Sequence, residues 1–220
     1  MHQFTTPVPI ATVLSIPAGR VRFVASVRED TVVQVLPADP AKSRDVKAAA
    51  EASVTFDDGV LRVSLTAKNQ YFGPSGAVDV TVSLPEGSSV EAKSASVALR
   101  GVGRLGDVTV EGAHGEAVFD KATGLHLTAH AGDISVGRLT GPAEITTGKG
   151  DIRIAEASSG HLVLSTQAGD ITVGAAEGVS ASLDAGTTYG RIRNSLRNEG
   201  RAGLTIQATT SYGDVEARSL

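Results

Sequence analysis

The chain contains no cysteine and no tryptophan. The first absence excludes disulfides and thiolate metal centres, and it is compatible with a reducing compartment. Aromatic residues make up only 4% of the sequence, so stacking platforms for sugars or bases are scarce. No eighteen apolar residues run together, which argues against a transmembrane helix. The opening MHQFTTPVPIATVLSIPAG has neither the basic leader nor the apolar run of a signal peptide. A cytoplasmic location is therefore expected. The net charge of -4 lacks the surplus of basic residues that a general nucleic-acid binder shows.

Glycine, in contrast, is abundant at 25 residues, and it is spaced rather than clustered. Between the glycines, Val, Ile, Leu and Thr alternate with polar residues in short runs, the pattern of many short strands. Aligned on one glycine, the segments HGEAVF (Gly115), AGDISV (Gly132), KGDIRI (Gly150), AGDITV (Gly169), YGRIRN (Gly190) and YGDVEA (Gly213) form a repeat. Successive glycines lie 17, 18, 19, 21 and 23 residues apart. A period near twenty is the mark of a solenoid. VEAKSASVAL fits as an earlier, degenerate turn of the solenoid, with Ala95 at the glycine position.

Each repeat carries a second strand ahead of its glycine: LHLTA, AEITT, HLVLS, VSASLD and LTIQA. Leu127 to Ile134, Ile145 to Ile152 and Leu164 to Ile171 are each seven residues apart; Leu183 to Ile192 and Ile206 to Val215 are nine apart. The two longer corners both place a tyrosine before the glycine, Tyr189 and Tyr212. Alternation points the aliphatic residues inward and the intervening Asp, Ser, Thr and Arg residues outward. One rung cannot bury its apolar face alone, so stacking in serial order is expected to build continuous aliphatic columns.

Residues 1–87 are less regular. IPAGRVRFVAS reads as a rung with Gly19 at its corner, TVVQVL as a strand, and Asp39-Pro40 as the N-cap and first turn of a short helix near 40–51. SVTFDDGVLRVSLT reads as a hairpin, followed by a loop NQYFGPSG and a strand AVDVTVSLP. This block is expected to cap the solenoid of residues 88–220, forming one structural domain with it, because an exposed stack end leaves strand edges unpaired. The fold class is all-β: a single-stranded β-solenoid of about 20-residue rungs with one short helix.

The "PAGxVxxxAS" strand, the VSLPEGSSVEA transition and the serial Gly-Asp-Ile turns resemble the DUF4097 family of adhesin-like β-strand-repeat proteins, actinobacterial members in particular. The closing TTSYGDVEARSL is similar to the way those members end. The resemblance spans essentially the whole chain. It implies a β-solenoid with no established catalytic activity; the adhesin label is one of analogy, and fold alone does not give function.

Asp133, Asp151 and Asp170 fall in register on consecutive rungs, with Asp214 two rungs on and Arg191 interrupting the column. Carboxylates spaced by one rung could hold Ca²⁺ or act as an acid–base pair. Each Asp could equally stabilise its own turn, and the tight nonapeptide repeats of a calcium β-roll are absent. His2, His114, His126, His130 and His161 show no converging set of three, as zinc or a triad needs. There is no Gly-x-Ser-x-Gly elbow, and TGKGD lacks the rest of a P-loop. No catalytic residue and no cofactor follow from this pattern.

RIRNSLRNEGR (191–201) sets Arg191, Arg193, Arg197 and Arg201 against one Glu, and could contact an acidic partner, phosphate or a membrane surface. Tyr71 and Phe72 form an aromatic pair in a Gly/Pro loop, a type of anchor that partners use. Outward Thr128, Thr146 and Ser165 make a partial rank that Asp184 and Gln207 break, which disfavours ice binding. The leading expectation is a non-enzymatic scaffold or interaction module, with a protein partner or self-association, no nucleic acid, and association with the cell envelope only at its periphery. The alternative is a β-helix that binds a ligand, calcium or carbohydrate through its outward aspartates.

Overall fold

The computed structural model describes residues 1–65 and 76–220. The N-terminal part contains β1 (His2–Thr5), β2 (Ala11–Ser26), β3 (Asp30–Pro37), α1 (Ser43–Ala50), β4 (Ser53–Asp57), β5 (Val60–Ser64), β6 (Val78–Pro85) and β7 (Ser89–Arg104). The middle runs through β8 (Asp107–His114), β9 (Ala117–Ala122), β10 (Gly124–Ala131), β11 (Ile134–Leu139), β12 (Ala143–Lys149) and β13 (Ile152–Ala157). The last part holds β14 (Gly160–Ala168), β15 (Ile171–Ala175), β16 (Ala181–Tyr189), β17 (Ile192–Ser195), β18 (Leu204–Tyr212) and β19 (Val215–Ser219). No helix of the described residues is long and apolar enough to cross a membrane.

Two strands meeting at a corner make one rung, and the rungs stack in parallel. β2 and β7 each supply both arms as a single long strand. Strand pairing gives the spatial order β5/β6, β2, β7, β8/β9, β10/β11, β12/β13, β14/β15, β18/β19 and finally β16/β17. The stack is thus not serial at either end. The first full rung lies between two later ones, and the last rung in sequence is inserted between two earlier ones. The expectation of serial order is corrected here, and the corner of β7 is also reassigned. Val97, opposite Gly19, holds the glycine position there, not Ala95.

Non-serial stacking costs nothing in backbone hydrogen bonds, because every parallel edge offers the same ladder. It gains in packing. The column Ile134–Ile152–Ile171–Val215–Ile192 is buried down to Val215, while Ile192 at its end is 47% exposed. In the column Val136–Ile154–Val173–Ala217 the next inner position is the polar Asn194. The rung carrying Leu204, Ile206 and Val215 is therefore the better one to bury on both sides, and the rung carrying Asn194 the better one to leave outermost.

Volume is matched between rungs as well as within them. Phe23 and Phe119 lie on either side of Gly101 in one column, and both rings are fully buried. A Cβ on Gly101 would stand 2.6 Å from Phe119 Cδ1, so the glycine makes room for two large neighbours. Thr12 occupies an aliphatic column between Leu61 and Val90, buried, with no partner for its hydroxyl.

The amino-terminal end is closed. β4 pairs antiparallel with β5, β3 pairs antiparallel with β6, and β1 with β3. Phe4 and Phe56, on β1 and β4, pack with ring centroids 5.4 Å apart. The helix lies against β3 and β6, and buried Asp45 accepts the Ala77 N–H at 3.0 Å. The helix begins at Ser43, not beside Asp39, and its N-cap Lys42 makes no side-chain cap bond. Asp39 and Pro40 instead form a turn of their own. Lys42 donates to the Asp39 carbonyl, and the Asp39 carboxylate accepts the Ala41 N–H at 3.0 Å.

Candidate functional site

The corners are built from three residue types, each solving a different backbone problem. Gly132, Gly150, Gly169 and Gly213 have φ between +130° and +155°, which L side chains rarely adopt. They are also in van der Waals contact with one another. A Cβ on Gly150 would sit on the Gly132 carbonyl oxygen, one on Gly169 on that of Gly150, and one on Gly213 on that of Gly169. Gly190 continues the series against Gly213, and Gly115 precedes it.

The aspartates form the second series. Asp133 Oδ1 accepts the Asp151 N–H at 3.0 Å, and Asp151 Oδ1 accepts that of Asp170 at 2.8 Å. Asp170 Oδ1 accepts the Asp214 N–H at 2.7 Å, and Asp214 Oδ1 accepts the Arg191 N–H at 2.9 Å. Each carboxylate thus reaches across to the next rung rather than closing its own turn, and so lashes neighbouring rungs together. Arg191 does not interrupt this ladder: with rung β18/β19 inserted, the four aspartates are consecutive and Arg191 is the terminus.

The third series was not visible beforehand. Thr166 donates its hydroxyl to the Gly150 carbonyl at 3.1 Å, Thr210 to that of Gly169 at 3.0 Å, and Thr187 to that of Gly213 at 3.0 Å. Thr147, Thr166 and Thr210 are buried, continuing the inward parity of Ile145, Leu164 and Ala208. A threonine three residues before Gly150, Gly169, Gly190 and Gly213 was the available signal. The outward Thr rank also differs from expectation. Thr128, Thr146 and Ser165 continue into Thr209, and Gln207 and Asp184 belong to the neighbouring rank.

Among the described residues no three His, Asp or Glu side chains converge as a metal site. In the aspartate column one oxygen of each carboxylate is already committed to a neighbouring N–H. His126 Nδ1 lies 3.3 Å from Glu144 on the adjacent rung, and a shallow depression there is lined by Asp107, His126, Glu144 and His161. A second depression, about 380 Å³, is lined by Arg20, Arg22, Asp79 and Arg100. Asp79 pairs with Arg20 and raises its pKa, by hydrogen bonding first and Coulomb attraction second. Tyr71 and Phe72 lie outside the described residues.

The far end of the stack differs from the closed end. Among the described residues, β16 pairs only with β18 and β17 only with β19. Inner-facing Leu183 and Ala185 are only partly covered, and β17 is exposed throughout. Tyr189 and Tyr212, neighbours in the stack, lie parallel with centroids 5.1 Å apart and are 65% and 61% exposed. Tyr189 is on the outermost rung, so its second face has no rung beyond it. Glu216 stands 3.9 Å from both Arg193 and Arg218. The segment after β17 folds over the start of β16: the Arg197 carbonyl accepts the Ala181 N–H at 2.9 Å, and the Arg197 N–H donates to Ser219 Oγ at 2.8 Å.

These features define a parallel β-solenoid of two-armed rungs, closed at one end by antiparallel strands and a helix and open at the other. The chain belongs to the Toastrack DUF4097 family, whose model matches residues 19–219. The fold is similar to that of a putative adhesin from Bacteroides fragilis, at 15% identity and TM-score 0.50, covering 98% of this chain and 95% of that one. A putative adhesin from Parabacteroides merdae matches at 12% identity and TM-score 0.46, covering 98% and 94%. A protein described as a putative lipid binding protein from Parabacteroides distasonis matches at 11% and 0.45, covering 98% and 95%. No curated protein matches the sequence.

Proposed function

We propose that this chain is a non-enzymatic interaction module whose binding surface is the open end formed by β16 and β17. The observation that carries this reading is the contrast between the two ends. One end is closed by antiparallel strands and packed aromatics. The other leaves most of the β16 edge, two stacked tyrosines and exposed Ile192 to solvent. Natural proteins blunt or cover strand edges, since an exposed edge templates pairing with another chain. An edge left largely uncovered beside exposed aromatic and aliphatic groups fits a surface meant to be covered.

The long faces of the solenoid support the same reading by what they spend their side chains on. Arg100–Asp120 and Arg138–Glu156 pair across adjacent rungs, and the aspartates hold backbone N–H groups. These groups brace the stack. The test is photo-crosslinking in the producing cell from two positions, Thr188 on the open end and Ser135 on a long face. Adducts from Thr188 alone support the proposal; adducts from Ser135 alone, or none from either, refute it.

A further inference from the structure

We propose that the open end takes an acidic, extended peptide segment of a partner protein, which adds as one more strand along β16. This rests on the open-end reading above and names its occupant. Three observations select it.

The first is hydrogen-bonding chemistry. The uncovered part of β16 presents a row of backbone donors and acceptors, and an extended peptide satisfies such a row in a way that a lipid headgroup or a nucleotide does not. Among the described residues, the loop after β17 makes a backbone hydrogen bond to this edge only at Ala181. About six to eight residues of strand fit along the rest.

The second is charge. Residues 191–201 hold four Arg and one Glu, a net +3 on a chain of net -4. Glu216 partly offsets Arg193, whereas Arg191, Arg197 and Arg201 have no ion pair among the described residues. A neighbouring anionic strand gains from this field. Asp184 faces outward on β16 and disfavours an acidic residue directly opposite itself.

The third excludes a second copy. Stacking a further copy on this end requires a parallel rung, but the other end of the solenoid is antiparallel and capped. The aspartate ladder also stops at Arg191, which supplies no carboxylate to the next rung. Two open ends placed face to face would bring two +3 segments together. A single strand meets none of these obstacles, and the free face of Tyr189 is available to stack with it.

The experiment uses the full chain and three fluorescein-labelled octapeptides. These are alternating Val-Glu, alternating Val-Lys, and the Val-Glu peptide N-methylated at alternate amides. Binding is read by fluorescence anisotropy, and the site by amide hydrogen exchange of β16 against β10. The Val-Glu peptide is expected to bind at least tenfold more tightly than either control and to slow exchange in β16 but not in β10. The triple variant R191E/R197E/R201E is expected to lose at least tenfold in affinity while keeping its circular dichroism. Equal binding of the N-methylated peptide would overturn strand addition, leaving charge attraction alone. A preference for the Val-Lys peptide, with β16 protected, would overturn the acidic occupant and spare the open-end reading. Protection of β16 by none of the peptides would sink both. Dimerisation through Thr188 without peptide, or binding to phosphatidylglycerol vesicles with β16 unprotected, would replace the proposed occupant.

Discussion

Replacing Gly150 with alanine tests whether the corner glycines hold the stack together. Gly150 has φ +137°, and a Cβ there falls on the Gly132 carbonyl oxygen. The unfavourable dihedral costs about 1–3 kcal/mol. Forcing two close-packed rungs apart costs about 1–3 kcal/mol more. The sum, about 2–6 kcal/mol, is a large part of the 5–15 kcal/mol typical of a domain. Gly186 is the control. It lies on the outermost rung, its φ is not in the left-handed region, and a Cβ there meets nothing within 4 Å. Gly186→Ala is expected to change stability by less than about 1 kcal/mol, in the stabilising direction, because alanine restricts the unfolded chain more than glycine does. Urea unfolding followed by far-ultraviolet circular dichroism measures both. The Gly150→Ala midpoint should fall by roughly 0.7–3 M for a slope of about 2–3 kcal/mol/M. A shift below about 0.3 M for Gly150→Ala, or equal shifts for the two variants, would show that the ladder is not a close-packed element.

Three further outcomes follow from single residues. Asp151→Ala leaves the Asp170 N–H without its acceptor and should cost about 1–2 kcal/mol by urea unfolding, whereas Asp151→Asn keeps an oxygen and should cost about half as much or less; equal costs would point to charge rather than the hydrogen bond. Thr12→Val removes a buried hydroxyl without a partner from an aliphatic column and should raise stability by about 1 kcal/mol, and a loss of stability on the same measurement would contradict that. The Asp39 carboxyl is held below its ordinary pKa, by the hydrogen bond from the Ala41 N–H first and by Lys42 after it. A depressed folded value means that the turn is stabilised above the ordinary carboxylate range and loses that stabilisation as pH falls through the folded pKa. The Ala41 amide resonance should therefore titrate below the ordinary aspartate range, and titration within or above that range would refute the assignment.

Much of the rung was legible in the sequence. The alternation of Leu127, Ile145 and Leu164 gave the inner face, and the spacing of Gly132, Gly150 and Gly169 gave the corners, because strand period and positive φ are local properties. The hairpin at Asp57-Asp58-Gly59 was legible for the same reason. The buried threonines were legible by parity, since Thr147, Thr166 and Thr210 continue the inward series of Ile145, Leu164 and Ala208; only their hydroxyl bonds to corner carbonyls needed the tertiary structure. The open end was only half legible. The basic segment and Tyr189 and Tyr212 stood out by composition, but nothing local said that they share the last two rungs of the stack.

The sequence by itself determined that the chain repeats, where each rung bends and which side chains face the core. Tertiary structure alone decided the order of the rungs, and with it which edge is left open. A parallel edge offers the same hydrogen bonds to any rung, so the period cannot say which rung is whose neighbour. Core burial makes that choice. The aliphatic rung of Ile206 and Val215 is covered on both sides, and the rung with Asn194 and Arg191 is left outermost.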